Sequence, residues 1–276
     1  MNMAPGAPVR VVITGKGGVG KTTLTALLAR QWARRGGRVM AVDADEQMNL
    51  ARTLGFTPAA AAAITPLSHE RDYIEETVGA RPGVGGSMLR LNPDVSDAVT
   101  RFGVDGPDGV RLLVMGGLSQ AGGGCLCPEN SLLAAAVAAV GRDRADMVLM
   151  DTHAGVEHFG RALARGFDQA VVVTDTTSNA VGVAVRTARL AADLGIPRIT
   201  LVVNRVRSPG DPDRVSRLVA DEGGFPFSAI RTVPWDDAVL AADPSVDPLL
   251  EGGTPFARAT GALADDWLAG AMEVAR

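Results

Sequence analysis

An α/β fold, built as one domain with a mainly parallel sheet of about seven to eight strands and helices on both faces, is predicted by three features of the sequence. Short runs that are apolar at almost every position alternate with stretches of helical periodicity, the signature of strands covered on both sides. The first run ends in a glycine-rich turn that leads straight into a helix, and several others end in Asp or Asn. No internal repeat or break in composition divides the 276 residues, and 46% hydrophobic against 21% charged residues suffices to fill one large core.

The elements follow in order. Residues 1–8 read as a flexible tail. Val9–Thr14 forms the first strand, and the helix after it carries Leu24, Leu27, Leu28 and Trp32 on one face until Gly36-Gly37 stops it. Arg38–Val42 is a short strand ending at Asp43. Residues 59–109 are rich in Gly and Pro and read as an irregular insertion outside the sheet, with a helix over Ala59–Ala63. Further strands are expected at Val110–Met115, Met147–Met150, Ala170–Thr174, Ile199–Val203 and Ile230–Val233. The helices between them are expected at Ser131–Val140, Asn179–Leu194 and Asp213–Asp221.

Composition narrows the partners. With 27 basic and 31 acidic residues the net charge is −4, which argues against a general nucleic-acid binder. Aromatics are 4% with Tyr73 the one tyrosine, so base stacking on aromatic platforms is not expected. No run approaches the ~20 apolar residues of a membrane span. The start lacks a signal-peptide pattern, and residues 262–269 are acidic rather than basic and amphipathic, so no membrane attachment is expected. Two cysteines do not make a disulfide-built secreted domain, and a reducing, cytoplasmic setting is the expectation.

Gly15-Lys16-Gly17-Gly18-Val19-Gly20-Lys21-Thr22-Thr23 fits G-x-x-x-x-G-K-[ST] between a strand and a helix, the context that this phosphate-binding loop requires. The glycines let successive backbone N–H groups converge on a β-phosphate, and the helix directs its positive end there. Lys21 would bridge the β- and γ-phosphates of ATP, the Thr22 hydroxyl would ligate Mg²⁺, and Thr23 lies within reach of the α-phosphate. Asp43, Asp45 and Asp151 end apolar strands, which in a parallel sheet brings them to the ligand edge beside this loop. Asn204-Arg205 ends another strand, and an Asn amide can pair with the edge of adenine; a turn-forming Asn is the alternative.

The form K-G-G-V-G-K-T-T resembles the deviant phosphate loop of the MinD/ParA/nitrogenase-iron-protein class of ATPases. The resemblance implies that Lys16 is a signature lysine reaching across a homodimer interface to the partner's ATP. It places Asp43 near the Mg²⁺ shell, gives Asp45 the positioning of the attacking water, and makes Asp151-Thr152-His153-Ala154-Gly155 a switch in which Asp151 holds Mg²⁺ through water and the Gly155 backbone senses the γ-phosphate. Asn204 and Arg205, with Pro234, Trp235 and Asp236 after the last strand, match its adenine-contacting positions.

Cys125 and Cys127, before a helix opened by Pro128, have the thiolate chemistry of a soft-metal site. One C-x-C supplies two ligands where a closed zinc site needs four, and two-fold symmetry would bring the pair against its copy. A local disulfide or two inert cysteines are the other readings. Together with D-A-D and the run Ala154-Gly155-Val156-Glu157-His158-Phe159-Gly160-Arg161, the C-x-C-P-E motif resembles the carbon monoxide dehydrogenase maturation ATPases, the CooC family, over about residues 9–250. That resemblance implies ATP hydrolysis with Mg²⁺, a nucleotide- or metal-dependent homodimer, Ni²⁺ or Zn²⁺ at a site shared between subunits, and a nickel enzyme such as carbon monoxide dehydrogenase as client. Glu46 departs from the Pro usual after D-x-D, and His153 from an acidic or small residue. A positioning or partition ATPase of the same fold, or an electron-transfer ATPase with an intersubunit cluster, are the competing functions.

Overall fold

The computed structural model describes residues 8–79, 90, 93–116, 127–140, 145–153, 164–251 and 253–274; all but Pro8 of the expected tail, residues 1–8, lies outside them. Eight strands form one sheet: β1 (Val9–Gly15), β2 (Val39–Ala44), β3 (Val104–Asp105), β4 (Arg111–Val114), β5 (Met147–Thr152), β6 (Gln169–Thr174), β7 (Arg198–Val206) and β8 (Ala229–Pro234). The spatial order is β3-β4-β2-β5-β1-β6-β7-β8, and every pairing is parallel except the antiparallel edge β3–β4. The chain runs outward from β1 on one side, returns to β5, then crosses to β6. The carboxyl ends of β1, β5 and β2 therefore meet where an open α/β sheet leaves its ligand crevice.

The strands are apolar because both faces are covered. In β1, Val11 and Ile13 face one way and Val12 the other, and all three are fully buried. On the first face lie α1 (Lys21–Arg34), α2 (Leu50–Leu54), α10 (Asp247–Glu251) and α11 (Pro255–Val274), contributing Leu24, Leu27, Leu28, Trp32, Leu54, Leu249, Phe256 and Trp267. On the second lie α4 (Arg71–Val78), α6 (Cys127–Ala139), α7 (Ser178–Asp193) and α8 (Asp211–Asp221), contributing Tyr73, Ile74, Leu132, Val181, Val185 and Val215. Short α3 (Pro58–Ala62), α5 (Ala98–Phe102) and α9 (Asp237–Ala242) complete the helices named here. The expected strands and helices are all present to within a few residues.

Residues 59–109 differ from expectation. They do contain an exposed helix, α3, capped by the Thr57 hydroxyl. They are not wholly outside the sheet, however. Leu67, Tyr73, Ile74 and Val78 enter the second core, and Val104 and Asp105 add the edge strand. The helical spacing of Tyr73, Ile74 and Val78 carried this signal, but the Gly/Pro content around it masked the pattern.

The far end of α1 is fastened by charge. Arg30, buried, pairs with Asp108 and with Asp247 at 2.8 Å, and donates to the Leu54 carbonyl. Arg34 bonds Asp108 and Glu251, each at 2.8 Å. One helix is thereby tied to α2, to α10 and to the turn entering β4. Replacing Arg30 by Met keeps volume but strands these acceptors, so Arg30→Met should lower stability by about 2 kcal/mol in urea unfolding. An unchanged midpoint and slope would show that the ties contribute nothing.

Candidate nucleotide site

The loop between β1 and α1 is shaped by close approaches. Gly15 has φ 143°, and a Cβ there would stand 2.1 Å from the Val173 carbonyl oxygen of β6, so a side chain would part the two strands. Gly20, φ 95°, ends the loop, and a Cβ there would meet the Asn204 amide nitrogen at 2.6 Å. As the residue before α1, Gly20 offers no side-chain cap, and the first turn carries no acid. The first amides of α1 are left to an external anion. Lys21 is 6% exposed and its Nζ donates to the Lys16 carbonyl at 3.2 Å, folding over the loop. Burial pulls its pKa down, against the opposing pull of Asp151 and Asp45. Lys16 is half-buried, Gly17 and Gly18 are exposed, Val19 is buried, and Thr23 is half-buried one residue beyond Thr22.

The acids stand as expected at the strand ends. Asp43 and Asp151 are partners in the β2–β5 register, and both are 0% exposed. Thr22 Oγ1 donates to Asp151 Oδ2 at 2.6 Å, so two of the three groups expected at Mg²⁺ already touch. Thr25 was not anticipated: its hydroxyl donates to the Lys21 carbonyl at 2.9 Å and lies 3.5 Å from Asp151 Oδ1. Its place one turn beyond Lys21 was the available signal. Asp43 accepts the Asp45 amide at 3.1 Å on one oxygen and the Leu50 amide at 3.0 Å on the other. It thus clamps both ends of the loop that carries Asp45. Within that loop, the Gln47 amide donates to Asp45 Oδ1 at 2.9 Å, and Met48 sits at φ 50°.

Burial raises both strand-end acids. Asp43 is pushed up to about 8 by desolvation and then by the Asp151 charge, against the two amides it accepts. Asp151 is pushed up to about 7 by desolvation, against the Thr22 hydroxyl and the Lys21 ammonium. Two buried carboxylates side by side, a hydroxyl and an ammonium form a set that suits a divalent cation joined to phosphate.

At the other side of the loop, Asn204 is 4% exposed and spends its amide on the protein: Nδ2 donates to the Val19 carbonyl at 2.8 Å, and Oδ1 accepts the Arg205 amide at 2.8 Å. Arg205 adopts φ 61° and is exposed. Trp235 donates through Nε1 to Asp237 at 2.9 Å, and the Arg207 guanidinium, absent from the sequence reading, lies 3.8 Å from the centre of the Trp235 ring. Pro234 is half-buried at the end of β8. Asp236 caps α9, accepting the Ala238 amide at 3.1 Å and the Phe256 amide at 3.0 Å. Burial would raise its pKa, but the Phe256 amide and the other donors hold it below the usual range. Its carboxylate joins α9 to α11.

Gly155, the run 154–161 and Cys125 lie outside the described residues; Cys127 opens α6, with only its backbone described. Among the described residues, no three or more His, Cys, Asp or Glu gather to hold a metal ion. No described helix is long and apolar enough to cross a membrane.

A loop of this form, opening onto two strand-end acids at the crevice of a parallel sheet, defines a nucleotide-hydrolysing P-loop protein. Residues 10–249 match the family model of the CobQ/CobB/MinD/ParA nucleotide binding domain, and the chain belongs to that family. It is 37% identical to the carbon monoxide dehydrogenase accessory protein CooC of Rhodospirillum rubrum over 235 residues, 85% of this chain and 87% of that one. It is 35% identical to an uncharacterized ATP-binding protein of Methanocaldococcus jannaschii, over 85% of this chain and 88% of that one. In fold it resembles the MinC:MinD cell division protein complex of Aquifex aeolicus, with TM-score 0.63, 21% identity, and 95% and 96% of the two chains covered. It also resembles cobyrinic acid a,c-diamide synthase of Mycobacterium smegmatis with bound ADP and magnesium, with TM-score 0.60, 20% identity, and 95% and 94% covered. The protein is an ATPase of the MinD/ParA type within the CooC family.

The raised acids make a pH-dependent prediction. A carboxyl whose pKa rises from 3.8 unfolded to about 8 folded holds a proton in the native state that the unfolded chain has released. Its contribution is complete below the lower value and is lost as pH rises through the upper one. Asp43→Asn forfeits one amide acceptor but carries no charge. The melting-temperature difference, variant minus wild type, without nucleotide or Mg²⁺, should therefore become more positive from about pH 5 to about pH 8 and level off above that. A difference flat across that range would overturn the assignment.

Proposed function

We propose that this ATPase works as a homodimeric metallochaperone, taking Ni²⁺ or Zn²⁺ on a thiolate site shared between subunits and serving the maturation of a nickel enzyme, carbon monoxide dehydrogenase or a relative. The observation that carries the reading is Lys16. The phosphate loop is complete without it, since Lys21 folds back onto the loop as the internal lysine. Among the described residues the Lys16 side chain makes no ion pair. A second lysine here suits a charge delivered in trans to a partner's triphosphate, as an arginine finger is. The similarity to the R. rubrum accessory protein supports the client class.

In this reading Thr22 and Asp151, with Asp43 beside them, would hold Mg²⁺, which would supply positive charge against the phosphates. Lys21 binds the phosphates, and Asp45, fixed by the clamp on its loop, orients the attacking water. Asn204, Arg205, Pro234, Trp235 and Asp236 flank the base. Closure of the dimer on ATP brings Cys125 and Cys127 against their copies, and reopening after hydrolysis frees the metal cargo.

The test is metal content and mass in solution, with and without ATP, for the wild type, Lys16→Ala and Cys125→Ser/Cys127→Ser. The wild type should carry about one metal ion per two chains, as a four-thiolate site requires. The double cysteine variant should lose it while still hydrolysing ATP. Lys16→Ala should lose ATP-linked dimerisation and about a hundredfold in turnover. Metal retained by the cysteine variant would move the site elsewhere. A metal-free dimeric wild type would favour a positioning ATPase instead.

A further inference from the structure

We propose that Asn204 is a positioning residue that braces the phosphate loop, so that it governs the grip on the β-phosphate and not only the reading of the base. The inference deepens the nucleotide site described above and rests on the assignment of that loop. Asn204 stands at the carboxyl end of β7, two strands away from β1, with β6 between them. Its side chain reaches across the end of β6 and donates to the Val19 carbonyl at 2.8 Å. Val19 is itself 1% exposed and belongs to the core beneath α1, so this carbonyl is withdrawn from water and needs its donor.

The brace is built from both sides. On the β7 side, the Arg205 amide donates to Asn204 Oδ1 at 2.8 Å, which fixes which way the amide nitrogen points. Arg205 takes φ 61° where the pairing of β7 with β8 is interrupted between Val203 and Val206. On the loop side, Gly20 leaves the space that the amide fills; a Cβ there would lie 2.6 Å from Asn204 Nδ2. The Gly20 carbonyl in turn accepts the Leu24 amide at 3.0 Å, the first bond of α1. The contact therefore holds the Val19–Gly20 peptide unit, through which the loop turns into the helix. The N–H groups on either side of that unit are the ones that must converge on a β-phosphate. An asparagine that only read a base would have no reason to bond here.

A cycle with two ligands of the same base separates the roles. Dissociation constants for AMP and ADP, each with Mg²⁺, are measured by calorimetry for the wild type, Asn204→Ala and Asn204→Asp. The Asp variant keeps the size and the acceptor for Arg205 but offers the Val19 carbonyl no donor. Circular dichroism melts identify the folded fraction. The wild type should prefer ADP, and in both variants that ADP-over-AMP ratio should shrink by about tenfold, the effect of losing one buried hydrogen bond. Loss of base contact alone would weaken both ligands equally and leave the ratio unchanged; that result overturns the brace. General destabilisation also leaves the ratio unchanged among folded molecules. A wild type that does not prefer ADP would overturn the phosphate-loop assignment, and the brace with it.

Discussion

Two carboxyl groups lie side by side at the ends of two adjacent strands, fully buried, because β2 and β5 pair in the register that sets Asp43 against Asp151. Everything at the site answers to that juxtaposition. Thr22, Thr25 and the Lys21 ammonium gather on Asp151, and two backbone amides gather on Asp43. Even so the pair is held above the ordinary range of an acid. In an apolar interior such an arrangement is costly, and a divalent cation beside the two carboxyl groups would lower that cost.

The clamp on Asp43 extends this constraint to the surface. The exposed loop bearing Asp45, Glu46, Gln47 and Met48 is anchored at both ends by one buried carboxylate. A change in charge at the sheet edge is felt directly by that loop's backbone. The same strand end ties sideways, since the Asp43 carbonyl accepts the Met115 amide at 2.8 Å and the Met115 carbonyl accepts the Ser68 amide at 3.0 Å. Residues near the acid, at the end of β4 and in the segment before α4 form one hydrogen-bonded series.

The sheet and the phosphate loop were legible in the sequence because they rest on local rules: all-apolar runs for doubly covered strands, and glycines wherever a backbone must pass close to another. The strand-end acids were legible for the same reason. What escaped depended on contacts between distant segments. Tyr73 and Ile74 look like loop residues until α4 is laid on the sheet. Thr25 is an ordinary helical threonine until β5 brings Asp151 beside it. Asn204 shows the limit well: its place at the end of a strand pointed to the base, and only the packing of β7 across β6 reveals that its amide reaches Val19. Asp236, expected beside the base, is seen only in the fold to cap a helix and to accept the Phe256 amide as well.

The ion pairs at the far end of α1 bear on how such a molecule can move. Arg30 and Arg34 moor the helix to three neighbouring segments, while Gly20, just before its start, fits against Asn204. Pinned at both ends, the helix behaves as the stator of the machine. Any displacement at the site has to be taken up by the loops at the carboxyl ends of the strands rather than by a tilting of this frame.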